Sequence, residues 1–166
     1  MPLRRRIRNA PETIQDLALA SEERYWDGVE LLVSNRVGSG VYLLGYVAEM
    51  ILKRAFFQLD GADPFDLVGP RLGPVRTWAR SRGITTPHEG FHSLTFWLRV
   101  LRTKRAERFS YLPHPIDARL VQGIHRCHGI WLVDMRYQPS RLLPSEVRSI
   151  YDDVTWLRDQ QHHLGV

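Results

Sequence analysis

The sequence predicts an all-α protein, a single-domain antiparallel bundle of about five helices. Apolar residues recur at three- and four-residue steps along most of the chain, the period of a helix with one buried face. No run alternates apolar and polar residues as a half-buried strand would. Breaks marked by Gly and Pro separate the periodic stretches, and the short first break returns the next helix antiparallel.

Ala10-Pro11-Glu12 reads as a helix start, with proline near the first helical position and an acid in the first turn. The first helix is expected over 11–36, with Ile14, Leu17, Ser21, Tyr25, Trp26, Val29 and Leu32 on its apolar stripe. Val37-Gly38-Ser39-Gly40 reads as the break. The second helix, 41–59, is apolar nearly all round, as suits a central buried helix. One stripe on it differs: Tyr42, Tyr46, Glu49 and Lys53 fall within an arc of about 60°. Gly45 lies beside them and permits close approach by a neighbour.

Residues 61–90 read as irregular, with turn signals at Asp63-Pro64, Gly69-Pro70 and Gly73-Pro74 and a short helix over 75–82. A third long helix starts near Phe91 with Leu94, Trp97, Leu98 and Leu101 inward and Arg99, Arg102, Lys104, Arg105 and Arg108 around the rest. The fourth carries Ile116, Leu120, Ile124, Cys127 and Trp131 and is expected to end near Met135. Arg136-Tyr137-Gln138-Pro139 follows as a loop. Pro144-Ser145-Glu146 opens the last helix, with Val147, Ile150, Tyr151, Val154 and Leu157 inward.

The chain has 166 residues, the length of one domain, divided into a basic extension over 1–9 and a helical domain over 10–166. A single cysteine excludes an intramolecular disulfide. The basic start leads into Pro11-Glu12-Thr13, not into the apolar stretch of a secretory signal. The most apolar run, 41–52, contains Glu49 and falls short of the about 20 residues a membrane span needs. A cytoplasmic protein with no membrane partner is therefore expected. The formal net charge is +5, and arginine supplies all but Lys53 and Lys104 of the 23 basic residues. Its planar fork suits phosphate, so nucleic acid or nucleotides become candidate partners.

His88-Glu89-Gly90-Phe91-His92 matches the HExxH pattern of zinc proteases, but Pro87 and Gly90 are poor company for the helix that pattern requires. His125, Cys127 and His128 are too few for a structural zinc, and Cys127 sits on an apolar stripe. His162 and His163 lie near the terminus. No metal or other cofactor is expected. There is no Gly-rich phosphate loop and no G-x-S-x-G elbow. The stripe of Tyr42, Tyr46, Glu49 and Lys53 is the informative feature. A carboxylate and an ammonium on an apolar helix must be paired or must line a cleft. Both readings stay open: an internal pair that fixes helix packing, or a polar cleft for a nucleotide or RNA segment.

Several segments together resemble the HEPN family. They are Arg24-Tyr25-Trp26-Asp27-Gly28-Val29-Glu30-Leu31-Leu32, then Gly38-Ser39-Gly40-Val41-Tyr42-Leu43-Leu44-Gly45-Tyr46-Val47-Ala48-Glu49 with Leu52-Lys53, then Gly90-Phe91-His92-Ser93-Leu94, and last Trp131 with Arg136-Tyr137 and Pro139. The resemblance runs from about Glu22 to Gln160 and lies in the order and spacing of the pieces. It implies an all-α bundle, frequently a homodimer, in toxin–antitoxin or other defence systems, often beside a nucleotidyltransferase. Trp97, Trp131 and Trp156 sit on expected helices, some of them more than one core needs, which also suits a homodimer. Catalytic members are metal-independent endoribonucleases that use Arg-x4-6-His. Here the positions after Arg136 that should offer histidine are Arg141, Leu142 and Leu143, so the motif is degenerate. Arg82 with His88, Arg108 with His114, Arg119 with His125 and Arg158 with His163 match the spacing, about as often as composition alone produces.

The expectation is a HEPN-like protein that binds RNA or a nucleotide. Arg136 would contact phosphate, Tyr137 would stack on a base, and Glu49 and Lys53 would line the site beside Tyr46. Two alternatives follow from the same resemblance. One is an endoribonuclease toxin that pairs Arg136 with a borrowed histidine such as His92. The other is a non-catalytic partner subunit of a nucleotidyltransferase or defence complex.

Overall fold

Thr13 opens the first helix, and the reason is local. Its hydroxyl accepts from the Asp16 N–H at 3.1 Å, and the Asp16 carboxylate accepts from the Thr13 N–H at 2.8 Å. Each group satisfies a donor that a helix start leaves unpaired. The N–H groups of Ile14 and Gln15 donate to the carbonyls of Asp66 and Pro64. The computed structural model describes residues 12–88, 90–131 and 142–165. Helix α1 is Ile14–Val33, so it begins after the expected Ala10-Pro11-Glu12 start, whose first two residues lie outside that range, as does the 1–9 extension.

Helix α1 buries Ile14, Leu17, Ser21, Tyr25 and Gly28. Trp26 departs from the expected stripe. It is 58% exposed, and the Arg158 guanidinium lies 5.3 Å from its ring centre. The chain reverses at Ser34-Asn35-Arg36, where Asn35 adopts φ 59°, a left-handed conformation that asparagine tolerates better than most residues. Helix α2 is Val37–Leu59. The expected break, Val37-Gly38-Ser39-Gly40, is its first turn. Gly40 is there for contact rather than for turning: a Cβ at this position would lie 2.9 Å from the Gly28 carbonyl oxygen and 2.7 Å from the Leu32 side chain. The two helices cross at that point.

Helix α2 is the axis of the bundle. Val41, Leu44, Val47, Ala48, Ile51, Leu52, Ala55, Phe56 and Phe57 are buried on all its sides, under α1 and later helices. Helix α3 (Val68–Ser81) is longer than the expected 75–82 segment and takes in both Gly-Pro pairs. Pro70 falls in the first turn, where a missing N–H costs nothing, and Pro74 costs one intrahelical bond. Burial of Val68, Val75 and Ala79, with Trp78 against Phe56, outweighs that loss.

Helices α4 (Leu94–Glu107), α5 (His114–Ile130) and α6 (Pro144–Asp159) complete the bundle, with short 3-10 turns at Gly90–His92 and Gln161–Leu164. Six α-helices stand among the described residues, in keeping with the all-α bundle of about five expected, the sixth being the short 75–82 segment grown into the full helix α3. Helix α4 runs parallel to α2, shown by the pairs Glu49–His92 and Asp60–Lys104, because the α3 segment carries the chain back to the starting end. Helix α5 then descends antiparallel. It ends at Ile130 rather than near Met135. Trp97 and Trp131 are fully buried in the chain's own core, and Trp156 is half-buried and packed against it. No helix among the described residues is long and apolar enough to cross a membrane.

Candidate functional site

The polar stripe of α2 meets the Gly90–His92 turn. Glu49 is 2% exposed, and each of its carboxylate oxygens has its own donor. Lys53 Nζ donates to Oε1 at 2.5 Å from one turn further along α2. His92 Nδ1 donates to Oε2 at 3.2 Å from across the helix boundary. A buried carboxylate is tolerable only when paired and hydrogen-bonded in this way. Lys53 itself is nearly enclosed, with Nζ 5.7 Å from the centre of the Trp97 ring. The His92 side chain is 47% exposed. Glu49 therefore holds the imidazole through Nδ1 and leaves Nε2 for solvent or a ligand.

Local sequence explains why His92 sits there. Gly90 takes φ +62°, which turns the chain before the helix. The Trp97 indole N–H donates to the Phe91 carbonyl at 2.8 Å and ties the turn to the core. Ser93 caps α4, its hydroxyl accepting from Phe96 N–H. The Gly90–His92 segment is a 3-10 turn and His88 lies outside any helix, so the HExxH pattern never places its histidines on one helical face. The Arg76 guanidinium lies 4.9 Å from the centre of the neighbouring Phe91 ring.

Aromatic groups continue the site along α2. The Tyr42 hydroxyl donates to the Tyr46 hydroxyl at 3.2 Å. The Tyr46 ring packs edge-on to His92 and to Trp131, with centroids 6.1 and 5.4 Å away. Trp131 fits directly against Gly45 and donates through Nε1 to the Tyr42 carbonyl at 3.0 Å. The close approach expected at Gly45 is this indole.

The fold thus brings together Tyr46, Glu49, Lys53 and His92 from two separate sequence segments. Of the two readings left open for the stripe, the structure shows the internal pair, Glu49 with Lys53, and adds His92 to it. Arg136 and Tyr137 lie outside the described residues, and so does Glu89. Cys127 is buried, and burial pushes its thiol up to about 12, which fits a packing role. His125 is exposed on the other side of α5. Among the described residues no three His, Cys, Asp or Glu side chains converge as a metal site.

A second polar cluster escapes the sequence reading. Asp153 of α6 is 4% exposed and faces α5. Arg126 grips it with Nε on Oδ2 at 2.8 Å and Nη2 on Oδ1 at 2.6 Å, and Arg119 Nη1 reaches Oδ1 at 2.5 Å. Burial alone would raise the Asp153 carboxyl, but hydrogen bonds from Arg126 and Arg119 outweigh it and hold the group below its usual value. Gly123 makes room, since a Cβ there would stand 3.4 Å from the carboxylate. The only signal in the sequence is an aspartate at the edge of an apolar stripe, next to Val154.

No family model matches this chain, nor does any curated protein or solved structure.

Proposed function

We propose that the protein is a HEPN-like factor that binds RNA or a nucleotide at the face formed by Tyr46, Glu49, Lys53 and His92, in a toxin–antitoxin or other defence setting. One observation carries this reading. A buried carboxylate, costly on so apolar a helix, is spent on orienting an exposed histidine beside an aromatic edge. That combination of an oriented N–H or lone pair and a half-buried tyrosine ring beside it suits a base or ribose. The net charge of +5 and the arginine excess supply the attraction for phosphate. In this reading Arg136 contacts phosphate and Tyr137 stacks on a base, as the family resemblance implies.

The same observation favours a second reading, a metal-independent endoribonuclease. A carboxylate that holds Nδ1 fixes the imidazole tautomer and orientation, leaving Nε2 to take or give a proton at a ribose 2′-hydroxyl. A homodimer and a nucleotidyltransferase-type partner belong to the same proposal and rest on the resemblance.

The test combines binding and cleavage of fluorescein-labelled single-stranded RNA with EDTA present. Wild type, His92→Ala, Lys53→Gln and Arg136→Ala are compared. The binding reading expects a salt-sensitive complex weakened by the substitutions, with intact RNA. Cleavage that disappears in His92→Ala establishes the nuclease. Absence of RNA and nucleotide binding by the folded wild type overturns both.

A further inference from the structure

The Arg119–Arg126–Asp153 cluster has no part in the site described above, yet its geometry is that of an anchored cation pair. Both arginines touch the same oxygen of Asp153, which sets their guanidinium groups side by side at the α5–α6 seam. Each spends only part of its donor set. Arg126 uses Nε and Nη2 and keeps Nη1, while Arg119 uses Nη1 and keeps Nε and Nη2. A guanidinium carries five N–H groups, so several remain on side chains that are 31% and 38% exposed. Trp156 supports Arg119 from below, with the guanidinium 5.2 Å from its ring centre. Two cations around one buried anion leave a surplus positive charge at the surface. The carboxylate behind them removes the side-chain freedom that a bound anion would otherwise have to freeze out.

A packing role alone explains this poorly. One arginine already satisfies Asp153 bidentately, and a buried ion pair is seldom more stable than apolar residues of the same shape. The second arginine adds positive charge at a place where the core needs none.

We infer that Arg119 and Arg126 form a pre-oriented clamp for a backbone phosphate of single-stranded RNA, with Asp153 as the positioning residue. This rests on the RNA reading above and adds a second point of attachment. The clamp also adjoins α2 from another side, since Ala48 and Asp153 line the same small void with Gly123 and Cys127. A phosphate contact carries no base preference, so its loss should weaken all sequences alike.

The experiment measures binding of labelled oligouridylate and oligoadenylate to the full chain over a salt series. The variants are Arg126→Gln and the pair Arg126→Gln with Asp153→Asn. The paired variant leaves net charge unchanged and leaves no buried carboxylate short of a partner, so it keeps the test valid if the single variant folds poorly. Both variants are expected to lose affinity severalfold on both RNAs, with a log–log salt slope shallower by about 0.7. Wild-type affinity and slope in the folded paired variant overturn the clamp and leave the RNA reading standing. No RNA binding by wild type overturns both. A lower melting temperature with unchanged RNA affinity identifies the cluster as an α5–α6 pin only.

Discussion

Trp131 lies flat against Gly45: a Cβ on residue 45 would stand 2.1 Å from the indole ring. The ring is rigid, fully buried and held by its hydrogen bond to the Tyr42 carbonyl, so it cannot yield cheaply. Gly45→Ala should therefore destabilise the protein by about 1–3 kcal/mol, the usual cost of overpacking. Because Tyr46 packs on the same indole, the change should also disturb the His92 face. Chemical denaturation of the variant checks the first effect, and the RNA assay checks the second.

Glycine to alanine should have the opposite sign elsewhere. In α5, nothing among the described residues lies within 4 Å of a Cβ built on Gly129, whereas Gly40 faces the Gly28 carbonyl and Leu32. Gly129→Ala should stabilise by roughly 0.5–1 kcal/mol through helix propensity, although its place in the last turn lowers the gain. Gly40→Ala should destabilise, because the helix crossing must widen. Paired thermal melts read both signs.

Glu49→Ala should be among the most damaging single changes. It strips Lys53, nearly enclosed, of its counter-charge and frees His92. Breaking a buried pair on one side costs about 3–5 kcal/mol. Lys53→Met with Glu49→Gln should recover much of the stability without recovering the RNA binding proposed for this face. Urea denaturation alongside the binding assay separates the two effects.

Acid should act through Asp153. Its carboxyl titrates below the usual value in the folded protein, so its contribution is complete above the unfolded-state value near about 3.9 and fades as pH falls through the folded one. At neutral pH, Asp153→Asn should cost roughly 1–3 kcal/mol, since the two arginines remain partly hydrated. The gap between wild type and variant should close below about pH 4. Denaturation curves across that range give the answer.

Cys127 should resist modification in the native state. Its thiol is buried and pushed up to about 12, far from the thiolate form at neutral pH. A thiol reagent should label it only after unfolding, at a rate set by opening of the α5–α6 core.

The sequence by itself determined the class, most helix faces and the charged pair on the central helix. Period 3.6 patterning places Leu94, Trp97, Leu98 and Leu101, or Leu120, Ile124 and Cys127, on buried faces before any neighbour is known. A charge on an apolar helix draws attention to Glu49 and Lys53, because burial of charge is costly in any fold. What the sequence could not decide was which distant group completes each contact. Gly40 looks like a turn residue until α1 is seen crossing it, and Gly-Pro pairs look like breaks until the buried face of α3 outweighs them. His92 becomes the partner of Glu49, 43 residues away, only because α3 returns the chain and sets α4 parallel to α2. Asp153 reads as an ordinary surface acid until α5 packs against it and two arginines close over its carboxylate. Local patterns record which face of a helix avoids water. They carry no record of what lies on the far side of that face, because that depends on chain reversal and helix crossing, which are set by the packing of the whole core.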